Sequence, residues 1–315
     1  MTSCHSAGLP VAVELHNDEL PLSFLSRVAK ANGFQSLVEF CDIVGLDKLK
    51  VRSGNERTLS KLAVWTGVPV SRLARFAIGP GRMLNFGGQA LRRHQMYTMG
   101  MRFCPACVAD DLCKGTRRSG VRPYLRASHI LKVVVDCPTH GVPLQYRPDE
   151  IEFGDDLVGN KPAIVETSEL RLVRIPHPAN AYFASRIGGQ PGSEFLDMIP
   201  AYLALELCEV LGELDRVARS ASLSKETPFS KESENQIFRG FDIAKIGLPA
   251  ISIFLSNHVQ TAIHQGRSLR FVYSPVWQWL KNEGENPAYS ALFSFFRDHA
   301  QANVPISRGQ AFFGA

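Results

Sequence analysis

Residues 102–110 of the chain read RFCPACVAD, and a second stretch further along reads DCPTHG. Each stretch places two candidate metal ligands three positions apart: Cys104 and Cys107 in the first, Cys137 and His140 in the second. Zinc takes four thiolate or imidazole ligands in a tetrahedron, and two short knuckles at separate chain positions supply that geometry. The pattern therefore predicts one structural Zn²⁺ ion in a small β zinc ribbon.

Three other interpretations of these cysteines stay open. A thioredoxin-like redox pair also reads C-x-x-C, but it needs no second Cys/His pair. A disulfide between Cys104 and Cys107, or a set of buried cysteines without a ligand, also fits the spacing. The seven cysteines are an odd number spread over 315 residues, unlike a secreted disulfide scaffold, so we expect reduced thiols in the cytoplasm. Cys113 and His129 lie between the knuckles and are the fallback ligands.

Positive charge is concentrated in the first half of the chain. Residues 1–150 carry a net charge of +8, and residues 151–315 carry −3. Residues 71–132 hold 12 basic side chains against two acidic ones. Such a block is typical of proteins with a polyanionic partner, most often nucleic acid, although a solvated basic face is the alternative. The predicted nucleic-acid contacts are Arg72, Arg75, Arg82, Arg92, Arg93, Arg102, Arg117, Arg118, Arg122 and Arg126.

Residues 58–76 read TLSKLAVWTGVPVSRLARF and have the spacing of a helix-turn-helix unit. A small residue, Ala63, lets two helices approach each other, and Gly67 permits the tight turn. Leu73 would then fix the second helix on the first. The same spacing also occurs in plain helical hairpins, so DNA reading by this unit is a hypothesis.

The chain is predicted to be mainly α-helical with a small β zinc ribbon. Residues 1–100 form an N-terminal helical region with the helix-turn-helix unit, and residues 101–150 form the ribbon. Residues 151–199 are a linker or irregular region, and residues 200–315 form a C-terminal helical domain that could hold a second unit of the helix-turn-helix type.

Several single elements are also predicted. Helices are expected from Pro21 to Asn32 and near Leu37 to Val44, where Gly45 is a natural stop. Residues 79–100 are expected to be mostly loop with a short helix near Gln89 to Met96. A strand is expected over residues 129–135, and helical stretches over Phe241 to Gln265, Ser274 to Asn282 and Tyr289 to Ala302.

The sequence offers little support for an enzyme. It contains no H-E-x-x-H, P-loop or Gly-x-Ser-x-Gly motif. Asp110 and Asp111 could be imagined as a metal-binding acidic pair, but a helix cap or an arginine partner explains them better. No apolar run approaches the roughly 20 residues that a membrane helix needs, and no signal peptide is recognised, so no membrane partner is expected.

The sequence resembles the TniQ family of transposon target-selection proteins, which includes the TnsD proteins. The resemblance rests on LPLSFLSRVA at residues 20–29 with Asn32, RFCPACVADD at 102–111, PYLR at 123–126 and VDCPTHGVPL at 135–144. One departure is visible, since His129 stands where the family usually has Trp.

The resemblance implies an accessory protein of DNA transposition without chemistry of its own. It would select the target site by bridging target DNA, or an RNA-guided Cascade complex, to the AAA+ transposition regulator TnsC. It implies a homodimer in the RNA-guided case, zinc ligation by the four knuckle residues, and docking or DNA contact by residues 58–76. The alternative is a zinc-containing helix-turn-helix DNA-binding transcription regulator, which fits the basic half equally well.

Overall fold

The computed structural model describes residues 9–113, 121–147, 174–220, 232–264, 273–283 and 286–303. The chain divides into two compact units, Met1–Gln190 and Pro191–Ala315. The described residues are mainly helical, and short antiparallel strand pairs lie in the first unit. The predicted fold class is thereby confirmed, whereas the four-part division of the chain stays a prediction.

The helices of the first unit are α1 Pro21–Ala31, α2 Leu37–Val44, α3 Lys48–Arg52, α4 Glu56–Thr66, α5 Val70–Ala74, α6 Pro105–Cys113 and α7 Pro178–Ile187. The predicted ends of the first two helices are found. The backbone N–H of Asn32 donates to carbonyls of the last turn of α1, and Gly45 ends α2 in the left-handed conformation with φ 64°.

Helices α4 and α5 lie where the helix-turn-helix pair is predicted. Asn55 caps α4, because its side chain accepts a hydrogen bond from the backbone N–H of Thr58. Gly67 makes the turn with φ 72°, a conformation that favours glycine. α5 packs on α4, and Leu62 and Leu73 are almost fully buried. The second helix has only five residues.

Residues 83–92 form a β-hairpin where mostly loop with a short helix was predicted. Strand β1 (Met83–Phe86) pairs with β2 (Gln89–Arg92) in antiparallel register. Gly87 and Gly88 connect them with φ 63° and 82°, and positive φ at both positions is typical of a two-residue type I′ turn. The helix predicted near Gln89 to Met96 is wrong, apart from one 3₁₀ turn at Arg93–Gln95.

The ribbon is closed by β3 (Met101–Phe103), which pairs antiparallel with β4 (Gln145–Arg147). The strand predicted over residues 129–135 is wrong. A 3₁₀ helix at Ala127–Ile130 occupies its beginning. The buried guanidinium of Arg102 explains the difference, because its Nη1 donates to the carbonyls of His129 and Leu131 at 3.1 and 2.7 Å. Both carbonyls bond this side chain, and Leu131 pairs with Met96 as an isolated antiparallel bridge and not as part of a strand.

A buried polar network joins α1 to the segment that leads to the second knuckle. Arg27 donates to Glu19 at 2.6 Å and to the carbonyl of Val121 at 2.8 Å. The hydroxyl of Ser23 donates to Glu19 and accepts from the backbone N–H of Leu125. Burial raises the pKa of Glu19 to about 7, although Arg27 and the hydrogen bonds act in the opposite direction. The network stabilises the contact between α1 and the ribbon.

Helix α7 lies inside the region that was expected to be irregular. Its Asn180 is fully buried, and the side-chain oxygen accepts hydrogen bonds from the backbone N–H groups of Val135 and Asp136 at 2.7 and 3.3 Å. These bonds hold α7 against the chain immediately before Cys137. Proline and glycine around residues 161–200 obscured this helix in the sequence.

The second unit contains the helices α8 Ala201–Ser220, α9 Glu232–Ala244, α10 Leu248–His264, α11 Ser274–Glu283 and α12 Ser290–Asn303. The helical stretch predicted from Phe241 to Gln265 is divided between α9 and α10, because Gly247 with φ 109° separates the two helices. α8 and α9 pack unusually close together. A Cβ at Gly240 would lie 1.8 Å from the carbonyl oxygen of Cys208.

Candidate metal centre

The four predicted ligands come together in the first unit. One ligand atom from each of Cys104, Cys107, Cys137 and His140 lies within 4.8 Å of the other three. The three sulfur atoms lie 3.3–3.8 Å from Nδ1 of His140. The three cysteines are buried and the histidine is half-buried. Among the described residues, these four form the group that could hold a metal ion.

The distances between the ligand atoms fit tetrahedral coordination of one ion. Zinc bonds sulfur at about 2.3 Å and imidazole nitrogen at about 2.0–2.1 Å, so a zinc tetrahedron places two sulfurs about 3.8 Å apart and sulfur about 3.6 Å from nitrogen. The sulfurs of Cys107 and Cys137 are 3.6 Å apart. This separation is far beyond a disulfide bond of about 2.05 Å, and the three thiols are free. The geometry therefore suits a bound divalent cation.

The first knuckle is made by the start of α6. Cys104 precedes the helix, and its sulfur accepts a hydrogen bond from the backbone N–H of Cys107 at 3.5 Å. Pro105 occupies the first helical position, where a missing N–H costs nothing. Both sulfurs thus lie at a helix N-terminus, which favours negative charge and hence the thiolate form that binds metal.

The second knuckle is a tight turn. The backbone N–H of Cys137 donates to the carbonyl of Val142, and that of Gly141 donates to the carbonyl of Cys137, each at 2.8 Å. Gly141 has φ 63°, and a Cβ there would lie 2.0 Å from the carbonyl oxygen of Arg174. Only glycine fits both conditions, so the turn that presents His140 depends on it.

The thiols share their protons unequally. Hydrogen bonds from Cys104 and then Cys107 hold the pKa of Cys137 well below its usual range. Hydrogen bonding to Cys104 and Cys137, together with burial, raises the pKa of Cys107. One thiolate is therefore favoured over the others, and binding of a cation by all three sulfurs must release the remaining thiol protons.

The two fallback ligands lie outside the group. His129 is buried with 2% of its surface exposed and hydrogen-bonds the side chain of Cys137. It therefore supports a ligand instead of replacing one. Cys113 is exposed at the end of α6. Asp110 and Asp111 have separate neighbours, since Asp110 lies 3.4 Å from His140 and Asp111 pairs with Arg126.

Several of the predicted nucleic-acid contacts bond groups inside the protein. Arg126 pairs with both carboxylate oxygens of Asp111 at 2.8 and 3.0 Å and stacks on Tyr124. Arg102 is buried, as described above. The half-buried side chains of Arg93 and Arg122 donate to the carbonyls of Gly81 and Leu112, respectively. These arginines stabilise the fold, and their contact with nucleic acid stays a prediction.

The other predicted arginines are placed differently. Arg72, Arg75 and Arg82 are exposed. Arg72 donates to the carbonyl of Leu15, and Arg75 to that of Gly188, both at 2.9 Å. Arg92 is half-buried at the end of β2. Arg117 and Arg118 lie outside the described residues. The charge pattern alone did not separate these groups, because it carries no information on burial.

The family model of TniQ matches residues 10–144. This segment of the chain is similar to the TniQ family. The TniQ match begins before α1, includes the α4–α5 pair, and ends directly after the second knuckle, so it contains all four candidate ligands. Similarity to the TniQ family suggests a transposition-associated protein. No curated protein matches the chain. Among the described residues, no helix combines the length and the hydropathy that a membrane span requires.

Proposed function

We propose that this protein selects target sites in DNA transposition. It bridges target DNA, or an RNA-guided Cascade complex, to the AAA+ transposition regulator. The TniQ match over residues 10–144 supports the transposition role. The observation that carries the proposal is the tetrad of Cys104, Cys107, Cys137 and His140 inside the matched segment, because four ligands on one ion would brace a docking surface and leave no open coordination position for chemistry.

We further propose that the tetrad holds one structural Zn²⁺ ion. Three sulfurs and one imidazole nitrogen form a ligand set that zinc prefers, and their spacing fits a tetrahedron. Four protein ligands leave no coordination position for water or substrate, which argues against catalysis at the metal. The ion would fix the two knuckles relative to each other and to α1, so that the ribbon and the helix-turn-helix pair form one docking surface.

The exposed arginines are the candidate phosphate contacts. Arg72 and Arg75 lie on or beside α5, and Arg82 precedes the hairpin. A guanidinium binds phosphate oxygens in pairs, so these side chains suit contact with duplex DNA or guide RNA. The homodimer implied for RNA-guided relatives is also part of the proposal, and light scattering of the purified protein measures it.

Co-purification with the AAA+ regulator tests the bridging role. The tagged protein is mixed with the regulator from the same transposon, with ATP and target DNA, and the bound fraction is compared with that of Cys137→Ser. We expect capture of the regulator by the native protein and loss of capture by the variant. A native, zinc-loaded protein that leaves the regulator unbound and does not support integration in a reconstituted reaction refutes the proposal.

DNA contact is tested by the salt dependence of binding. Fluorescence anisotropy of a labelled duplex gives the slope of log K against log salt, which is about −0.9 for each neutralised phosphate. We expect the variant Arg72→Ala/Arg75→Ala to make this slope shallower by about 1 for each arginine that binds a phosphate in the native protein. Lys281→Ala, on an exposed position of the second unit, is the control. A native affinity that salt does not change would favour docking to protein alone.

A transcription regulator is the second candidate, and the α4–α5 pair is the observation that favours it. The two functions differ in what they bind. A regulator would bind a defined operator tightly without the AAA+ protein, whereas the target selector binds the AAA+ protein and supports integration. Selection of tight sites from a random DNA library, with no capture of the AAA+ protein, would decide for the regulator.

A further inference from the structure

The imidazole of His140 has a neighbour on the side away from the sulfurs. Its Nδ1 faces the three cysteine sulfurs at 3.3–3.8 Å, and its Nε2 lies 3.4 Å from Oδ2 of Asp110. A neutral imidazole carries a proton on one nitrogen and a lone pair on the other. A carboxylate beside Nε2 favours the proton there, which leaves the lone pair of Nδ1 directed at the site.

Helix α6 places this carboxylate. Asp110 follows Cys107 by three residues, so both side chains lie on the same face of the helix. The helix that supplies two sulfurs at its start therefore also supplies the neighbour of the imidazole. The next residue, Asp111, points to a different partner and binds Arg126 through both carboxylate oxygens. The two adjacent acids thus have separate structural roles.

We propose that Asp110 is a positioning residue of the metal centre, which fixes the orientation and the Nε2–H tautomer of His140. This inference rests on the proposed zinc occupancy. A metal-bound histidine that donates its second N–H to a carboxylate is held in place and becomes a more basic ligand. The side chain of Asp110 is 44% exposed and that of His140 is 22% exposed, so the pair forms the solvent side of the centre.

The affinity for Zn²⁺ tests the inference. Competition with a chromophoric chelator at pH 7 gives the dissociation constant of the full chain and of the variants Asp110→Ala and Asp110→Asn. We expect Asp110→Ala to weaken binding by about 10- to 100-fold. Asp110→Asn keeps an acceptor oxygen but loses the charge, and we expect a smaller loss. Asp42→Ala, which removes an exposed acid on α2, is the matched control and should bind as the native chain does.

The tautomer of His140 gives a readout that simple destabilisation would not reproduce. Side-chain ¹⁵N NMR of the zinc-loaded protein should show a metal-bound Nδ1 and a protonated Nε2. In Asp110→Ala the Nε2 proton should exchange faster with water. Metal bound through Nε2, or an unchanged exchange rate in the variant, would overturn the inference.

The variant His140→Ala separates failure of the positioning role of Asp110 from failure of the proposed metal centre. If His140→Ala weakens Zn²⁺ binding and both Asp110 variants bind as the native chain does, the positioning role is wrong and the metal centre stands. If His140→Ala also binds as the native chain does, the histidine is not a ligand and the proposed centre fails with it. Weakening by both His140→Ala and Asp110→Ala supports both.

Discussion

If the tetrad holds zinc as proposed, removal of the ion should unfold the ribbon while the second unit stays folded. The sulfurs have few apolar neighbours of their own. The buried cluster around the three cysteines includes Val142, with Ala106 and Leu144 packed against it partly exposed. The knuckles thus depend on their ligand more than on hydrophobic packing.

A comparison of free energies favours unfolding of the ribbon when the ion is removed. Burial of one Val side chain contributes about 1.5–3 kcal/mol. A structural zinc ion contributes on the order of 10 kcal/mol in small zinc domains at neutral pH. Without the ion, three thiols also remain crowded within hydrogen-bonding distance of one imidazole. The loss therefore exceeds what the apolar contacts around the sulfurs could offset.

Hydrogen–deuterium exchange measures the effect at individual segments. The amides of Cys137 and Gly141 are bonded inside the second knuckle at 2.8 Å and should be protected in the zinc-loaded protein. After treatment with a strong chelator, peptides covering residues 104–113 and 137–144 should lose protection, and added Zn²⁺ should restore it. Peptides from α10 in the second unit should keep their protection.

Two controls make the experiment decisive. Cys137→Ser should reproduce the chelated pattern without a chelator, whereas Cys113→Ser, which changes an exposed thiol outside the tetrad, should leave exchange unchanged. Purified protein without near-stoichiometric zinc would refute the reasoning. The same conclusion would follow if chelation removed the zinc and left the protection of both knuckles intact.

Two further predictions concern the rest of the fold. Gly240→Ala should lower the unfolding free energy of the second unit by about 3 kcal/mol in urea, because the new Cβ would lie 1.8 Å from the carbonyl oxygen of Cys208 and this clash outweighs a helix-propensity gain of about 1 kcal/mol. The control Asn257→Ala, at an exposed position of α10, should change the unfolding free energy by less than about 0.5 kcal/mol. A similar result for both variants would contradict the close packing of α8 and α9. Burial raises the pKa of Glu19 to about 7, so the protonated form favours folding and this stability is lost as the pH rises. The unfolding free energy of Glu19→Gln should therefore rise by about 2 kcal/mol relative to that of the native chain as the pH goes from 5.5 to 8. A difference in unfolding free energy that stays constant over this range would show that Glu19 stays ionised in the folded protein.

The sequence predicted the ligand set because ligand chemistry is local. A knuckle needs two donors at a fixed spacing, and both pairs could be read directly from the chain. The ends of α1 and α2 were predictable for the same reason, since Asn32 and Gly45 act on the turn immediately before them. The Gly87–Gly88 turn was equally local, and the alternating residues around it were the signal that could have revealed the hairpin.

Features that depend on distant partners were not predictable. The strand expected over residues 129–135 is missing because Arg102, far away in sequence, binds two of its carbonyls. α7 is held by hydrogen bonds that Asn180 accepts from the backbone N–H groups of Val135 and Asp136, and no local sequence pattern predicts them. The proximity of Asp110 to His140 likewise exists only after the two knuckles have come together.

The arginines show why charge alone is a weak guide to a nucleic-acid surface. A guanidinium binds phosphate oxygens, carboxylates and backbone carbonyls with the same planar set of donors. Arg102 and Arg126 use theirs within the ribbon, so replacing either would loosen the fold and would weaken the proposed DNA binding only indirectly. The exposed Arg72 and Arg75 can lose their charge at a smaller cost in stability. A salt slope that changes for this exposed pair, at constant unfolding free energy, is therefore the measurement that separates phosphate contact from structural support.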